Sequence, residues 1–321
     1  MNLKLDKIDK RILYELDKNA RIPDTKLARI AKKSKESIRY RIKKLQEQNI
    51  IKGFTIWVDP TKLGYNSAKI YLKLANKPEK KKEMINELKK EKKLFWLGTA
   101  DGAWDLGLTY FVKNNREFYE TKNKLFSKYK DIIIETRTAV LVSVHYSNKT
   151  YFYNTQNEWN TIFEKQENII IEEIEKKILN ELFQNSRINI TEIARKHNST
   201  TDIIRNRIKK LEKQKIISRY NAIIDHNNLG YEFFKTFLYF KNLSQKDETK
   251  LMEYSLQNEK IIHLVKQISP WDVELEIMCE NYLEYNQIIS ELTQEFAEVI
   301  NKIETAIMHE DHIFPSKKII F

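Results

Sequence analysis

RIKKLQEQNII (Arg41–Ile51) and RIKKLEKQKII (Arg207–Ile217) are nearly the same eleven residues, written twice and 166 positions apart. Lys, Leu, Ile, Glu and Gln are common helix residues, so one such stretch is ordinary. Sliding the chain on itself by the same offset, however, aligns Asp9–Tyr65 with Glu175–Tyr231 without a gap, and 25 of the 57 pairs are identical. The identities Ile12/Ile178, Leu16/Leu182, Ala28/Ala194, Ile38/Ile204, Ile42/Ile208 and Leu45/Leu211 recur at helical spacing, so they mark a shared core stripe. This is a duplicated unit rather than a generic helix. The match weakens beyond Tyr65 but continues: AWDLGL at Ala103 aligns with PWDVEL at Pro270, and TAVLVS at Thr138 with TAIMHE at Thr305.

Within the first copy, Asp6 or Asp9 opens a helix that runs to about Lys18. Pro23 and Asp24 start a short one over Thr25–Lys32, with Asp24 as its cap, and Ser34 caps a third over Lys35–Gln48. The β-rich IIKGFTIWVD then reads as a strand pair or wing. Three short helices with a tight second turn, followed by a wing, are the plan of a winged helix-turn-helix, whose last helix enters the DNA major groove. After Tyr65 the pattern is βαββαβ: strand SAKIYLKLAN, helix Pro78–Lys92, strands KLFWLGTA and AWDLGLTYFV, helix Asn115–Tyr129 and strand Asp131–His145. That is a ferredoxin-like sheet with helices on one face. Its other face must be buried, and the second copy is the natural cover.

The expected fold is therefore α+β. It has a winged helix-turn-helix over 1–60, a ferredoxin-like domain over 65–146, a linker over 147–168, and a second pair over 169–226 and 231–321. The two sheets pack as an intramolecular pseudo-dimer.

Charge points to the partner. The chain of 321 residues carries a net +12. Residues 1–60 hold 16 Lys and Arg against 8 Asp and Glu, residues 169–225 hold 12 against 8, and the remainder is balanced. A cationic excess confined to the two helical units fits double-stranded DNA. The expected contacts are Ser34, Lys35, Arg39, Tyr40, Arg41, Lys43 and Lys44, with Thr200, Thr201, Arg205, Asn206, Arg207, Lys209 and Lys210. Arg41 and Arg207 are equally readable as structural residues paired with acids. The two recognition helices differ where bases would be read, so unequal half-sites are expected.

The stretches LDKIDKRILYEL, ARIPDTKLARIAKKS, RIKKLQEQNIIKGFTIWVDPTKLG, DGAWD and TRTAVL resemble the Lrp/AsnC (leucine-responsive/asparagine-operon) regulators over nearly all of both repeats. The resemblance implies a cytoplasmic transcription regulator. Members of the family dimerise through the second-unit sheets, often assemble further, and in many cases bind an amino acid there. The family's Gly-x-x-Asp loop is Gly102 to Asp105 here, so the resemblance implies Asp101, Gly102, Asp105 and Thr136 as effector residues. The second copy has Ser269, Pro270, Trp271 and Asp272, without the glycine. Most members carry one repeat; this chain carries two.

Other chemistry is scarce. One cysteine, Cys279, excludes an internal disulfide, and it reads as a small core residue. No Gly-rich phosphate loop or metalloprotease motif occurs, and no cofactor, metal or membrane partner is expected. HEDH at His309–His312 ends a strand. The alternative readings are an assembly-only regulator without DNA binding, and an enzyme resembling the sirohaem decarboxylases, which share this fold. Those enzymes carry His-containing stretches where this chain has TADGAWDLGL and KQISPWDVEL, with only His263 nearby.

Overall fold

The computed structural model describes residues 5–153, 155 and 157–313. Helices α1 (Lys7–Lys18), α2 (Asp24–Ala31) and α3 (Lys35–Glu47) pack around Ile12, Leu13, Leu16, Leu27, Ile38, Ile42 and Leu45. Asp6 caps α1 by accepting from the Ile8 and Asp9 amides, both at 2.8 Å, and Ser34 caps α3 through the Ser37 amide at 3.1 Å. The expected Asp24 cap is corrected. Pro23 holds the N-cap position without a side-chain bond, and Asp24 is the first helical residue. Its carboxylate is drawn to two arginines instead.

Of the expected strand pair or wing, each repeat supplies one strand. The segment after α3 is a single strand, β1 (Ile51–Val58), and it finds its partner in the other repeat. It pairs antiparallel with β7 (Ile217–Ile224), setting Thr55 opposite Asn221 and Trp57 opposite Arg219. One strand from each copy thus makes a shared two-stranded ribbon, because neither unit supplies a second strand of its own.

The first βαββαβ unit runs β2 (Asn66–Leu74), α4 (Pro78–Leu88), β3 (Leu94–Gly102), β4 (Leu106–Val112), α5 (Asn115–Tyr129) and β5 (Ile133–Tyr146). Short β6 (Asn160–Ile162) lies in the linker and adds to the end of β5. The second copy runs α6 (Glu173–Gln184), α7 (Ile190–Lys196), α8 (Thr201–Lys213), β7, β8 (Glu232–Phe240), α9 (Gln245–Gln257), β9 (Ile261–Ile268), β10 (Val273–Cys279), α10 (Tyr282–Glu295) and β11 (Ile300–Ile313).

The two ferredoxin-like sheets join edge to edge: β3 pairs with β11, and β9 with β5. The nine-stranded sheet then closes on itself through β2–β5, with β6 as the one strand outside the ring. The pseudo-dimer is thus a barrel of the remaining eight. Closure removes open edges along the ring among the described residues.

Alternation along each strand decides which residues enter. Ala68, Ile70 and Leu72 face α4 and α5, with Leu106, Leu108, Met84 and Leu125. The other phase of β2, with Lys69 and Tyr71, faces the barrel interior, as do Glu274 and Glu276 on β10 and Lys235 on β8. One end of the interior is aromatic, filled by Tyr71, Trp96, Trp104, Phe237 and Trp271. Next to it lies a closed charge network. Glu274 accepts from Lys235 Nζ at 2.8 Å, Lys69 Nζ at 3.1 Å, Tyr71 Oη at 2.9 Å and Gln267 Nε2 at 3.0 Å. Glu276 pairs with Lys235 and His263. Burial opposes charge on Lys235, yet the two carboxylates hold its pKa above the ordinary value; burial pushes Lys69 down. Burial would raise Glu274, but the Lys235 and Lys69 ammoniums keep it ionised, below the usual range. Cys279 is a buried free thiol in β10.

Candidate nucleic-acid interface

Helix α3 presents its outer face because Ile38, Ile42 and Leu45 take the inner one. Tyr40 is 68% exposed, Lys43 stands out with 76% of its side chain in solvent, and Lys44 is exposed. In α8, Ile204, Ile208 and Leu211 are buried while Asn206 and Lys209 are exposed. Thr200 caps α8 through the Ile203 amide at 3.2 Å. Each helix thus offers polar side chains at its N-terminal turns and cations further along, the order a groove-reading helix needs.

The arginines divide into two kinds. Arg41 reaches back across the unit to Asp6 at 2.8 Å and Asp9 at 2.7 Å, with only 23% of its side chain exposed. Burial works against its charge, but the two carboxylates raise its pKa above the ordinary value. Arg207 does the same with Glu172 and Glu175, and Lys210 joins it at 2.8 Å from Glu175. Arg41 and Arg207 thus each tie the third helix of a unit to its first, ion pairs that fit the structural reading of both. Arg39 and Arg205 stay outside. Arg39 is 60% exposed and touches Asp24 at 2.9 Å, and Arg205 pairs with Asp202 one turn away. Such exposed pairs exchange readily for a phosphate.

Two features escape a sequence reading. Ile203 is 47% exposed on α8, although an isoleucine in an amphipathic helix reads as core. It stands where Ser37 does in α3, and apolar contact with a thymine methyl is what such a side chain offers DNA. The second feature is a reciprocal clasp. Arg21 Nη1 donates to the Ser186 carbonyl at 2.6 Å, and Arg187 Nη1 donates to the Ala20 carbonyl at 2.8 Å. Arg187 Nη2 also reaches Asp24 at 2.5 Å. Arg21 and Arg187 are equivalent positions of the repeat, so the clasp is two-fold. It borders a groove of about 480 Å3 that Arg205 also lines. Hydrogen bonds to charged groups contribute about 1.5–3 kcal/mol each when buried, less at this partial exposure. Arg21→Ala with Arg187→Ala is therefore expected to lower the free energy of local opening by about 1–2 kcal/mol. Hydrogen exchange of α2 and α7 amides should quicken roughly tenfold.

The effector residues implied by the resemblance make structural contacts of their own. Gly102 (φ +107°) faces the Thr305 carbonyl so closely that any Cβ would collide with it. Its missing side chain is thus explained by barrel closure at the β3–β11 seam. Asp105 Oδ2 accepts from the Leu74 amide at 2.7 Å, Asp101 meets His309 at 2.8 Å, and Thr136 pairs in register with Leu72. None of the four lines the largely apolar cavity of about 240 Å3 that lies between the β1–β7 ribbon and the barrel. Among the described residues no group of three or more His, Cys, Asp or Glu could hold a metal ion, and no helix is long and apolar enough to cross a membrane.

Two helix-turn-helix units with basic outer faces, clasped on one barrel, define a duplicated DNA-binding regulator. Residues 5–46 and 171–212 each match the AsnC-type helix-turn-helix domain. An HTH-type transcriptional regulator of Pyrococcus furiosus is 33% identical over 140 residues, 44% of this chain and 93% of the relative. The regulator LrpA of Pyrococcus abyssi is 42% identical over 85 residues, covering 26% of this chain and 60% of its own length. The chain belongs to the Lrp/AsnC family of helix-turn-helix transcriptional regulators. Over its full length it also shares the fold of the siroheme decarboxylase NirDL, solved with an iron-uroporphyrin III analogue. The TM-score is 0.66 at 14% identity, over 98% of this chain and 96% of that one. At that identity the likeness concerns architecture alone.

Proposed function

We propose that this chain is a cytoplasmic, non-enzymatic regulator that reads an asymmetric operator with two unequal helices held in one rigid frame. The observation that carries this reading is the pair of exposed helix faces, α3 and α8, tied to each other through the Arg21–Arg187 clasp and the shared β1–β7 ribbon. Tyr40 and Asn206 occupy equivalent outward positions but differ in chemistry, so the two half-sites differ. Ser34, Lys35, Arg39, Tyr40, Lys43 and Lys44 meet one half-site; Thr201, Ile203, Arg205, Asn206 and Lys209 meet the other. Arg41, Arg207 and Lys210 act by holding the helices.

The test is a fluorescence-anisotropy titration against the DNA upstream of the chain's own coding sequence and against a scrambled duplex, at several salt concentrations. A slope of roughly −0.9 per neutralised phosphate and tighter binding to the upstream DNA are expected. Arg39→Ala with Arg205→Ala should weaken specific binding at least tenfold, about 1.4 kcal/mol, with the circular dichroism spectrum intact. Unchanged affinity in that folded variant would remove both arginines from the interface. Absence of binding at low salt would remove the DNA reading altogether. The decarboxylase reading finds little support in the interior: a cavity of about 240 Å3 lies below the usual range of drug-sized pockets, and a tetrapyrrole is larger still. Titration with iron porphyrin is expected to give no shifted Soret band.

A further inference from the structure

The cavity between ribbon and barrel has walls of an unusual kind. Each of its wall ammonium groups has a carboxylate partner within the protein. Lys69 and Lys235 are held by Glu274, and Glu276 by Lys235 and His263. Lys149 is paired with Asp17 at 2.7 Å, Asp311 accepts from Trp96 Nε1 at 2.5 Å, and His226 bonds the Tyr151 hydroxyl at 3.1 Å. No wall ammonium is left over for an anionic ligand, and Asp311, which meets a neutral indole rather than a cation, is pushed up by burial towards its uncharged form. Trp57, Phe95, Trp96, Phe163 and Phe233 supply ring faces. Two polar atoms on the same walls are buried and have no partner among the described residues: the indole Nε1 of Trp57 and the amide Oδ1 of Asn221, a residue only 8% exposed. Unsatisfied buried groups of this sort cost about 1–3 kcal/mol each, and they point at what is missing. Trp57 offers one donor and Asn221 one acceptor.

Their spacing follows from register. Thr55 lies opposite Asn221 and Trp57 opposite Arg219, so Trp57 and Asn221 are diagonal neighbours on one face of the ribbon. Diagonal neighbours lie about 7–8 Å apart at the backbone, close enough for both side chains to face one bound ring. Volume limits that ring system. An apolar cavity of about 150 Å3 holds benzene, so about 240 Å3 holds one substituted ring or two fused ones.

We propose that this cavity is a binding site for a small neutral nitrogen heterocycle of the nucleobase class. The ring stacks among the aromatics, a ring acceptor takes the Trp57 indole proton, and an amino or ring N–H donates to Asn221. Amides pair with base edges in this way, and base–aromatic stacking contributes about 1–3 kcal/mol. The cavity's walls come from β1 and β7, which follow the recognition helices, and from the barrel. An occupant therefore sets how the ribbon sits on the barrel, and with it the frame of the two helices. That consequence rests on the DNA-binding reading; the binding itself does not.

Isothermal titration of the full chain with adenine, with hypoxanthine and, as the zwitterionic control, with leucine tests the site in the absence of DNA. One-to-one saturable binding of at least one of the two bases is expected, with no leucine binding at the same concentrations. Asn221→Leu and Trp57→Phe, each checked by its melting curve, should weaken the base at least tenfold. A third variant, Ile223→Trp, enlarges a partly exposed wall residue in phase with Asn221 and should abolish binding even where one of the others folds poorly. Lack of saturable heat with both bases overturns the proposal. So does base binding that persists undiminished in the folded variants. Because the readout is heat of base binding, its failure leaves the anisotropy result standing, and the reverse also holds.

Discussion

Glu274→Ala is expected to lower the unfolding free energy by about 3–5 kcal/mol, read from urea unfolding at neutral pH, because it leaves a buried ammonium without its counter-charge. Glu274 is fully buried and is the carboxylate nearest Lys69, at 3.1 Å. Lys235 keeps Glu276 when Glu274 is lost, so the uncompensated charge is that of Lys69. Tyr71 and Gln267 lose their acceptor in the same step. The origin of the loss is tested by adding Lys69→Met to the alanine variant. Removing the stranded charge should recover at least half of the stability, a coupling that two independent sites would not show. An alanine variant within about 1 kcal/mol of the parent would mean that Lys69 reaches water, and the network would then hold nothing together.

The network also explains what a covalent duplication allows. Lys69 and Lys235 are equivalent positions of the repeat, whereas Glu274 and Glu276 stand where the first copy has Gly107 and Thr109. A two-fold homodimer of one repeat repeats every residue, so it would carry either four carboxylates or none around its two lysines. One chain with two unequal halves places two carboxylates against two lysines. The same freedom acts at the surface, where Lys35 and Thr201, Ser37 and Ile203, and Tyr40 and Asn206 diverge on helices that share their core positions.

Much of this was legible in the residues. The period of three and four placed the three helices of the first helix-turn-helix unit and, through the repeat, their counterparts in the second, and alternation placed the strands of the first ferredoxin-like unit. The polar phase of those strands was the harder part. In SAKIYLKLAN, Lys69 reads as the solvent side of a half-buried strand, and so do Glu274 and Glu276 in VELEIMC. Ring closure turns that phase inward, and closure depends on strands more than a hundred residues away. The β1–β7 ribbon was hidden for the same reason, since IIKGFTIWVD reads as a strand whatever its partner. Among the proposed DNA contacts the pattern placed Arg39, Arg41, Arg205 and Arg207 on one list, and only the positions of Asp6, Asp9, Glu172 and Glu175 set the arginines tied to the first helix apart from the exposed ones. Gly102 shows the converse. The family's loop pattern is present, yet the Thr305 carbonyl alone accounts for the glycine.

The second large effect is expected on acidification. His145 is buried where β5 meets β6, with Ser143 Oγ 3.1 Å from Nε2 and Thr161 Oγ1 3.0 Å from Nδ1. Burial pushes its imidazole down to about 4, and the positive charge of Lys266 acts in the same direction. His226, half-buried against Tyr151, is lowered to about 3, again chiefly by burial and then by Lys149. Both are therefore neutral in the folded chain at pH 5, while an unfolded histidine, with a pKa near 6.5, is protonated there. The unfolded state binds more protons between pH 6.5 and about 4, so stability falls as pH falls through that window and is complete above it. The slope is about 1.4 kcal/mol per pH unit for each histidine, or about 3 kcal/mol from His145 alone by pH 4. His226 adds a smaller share because part of it keeps solvent. Depressed carboxylates such as Glu304, held at about 2 by its Lys302, Tyr239 and Arg137 partners against the effect of burial, lose their contribution only below the unfolded carboxylate range. The two causes therefore separate on the pH axis. Urea midpoints at pH 7, 6 and 5 should decline steadily for the parent chain, and His145→Gln, which keeps hydrogen-bonding groups but cannot charge, should flatten the decline by one histidine's share. A variant as acid-sensitive as the parent over that interval would show that His145 is protonated without unfolding, and that water reaches the β5–β6 seam.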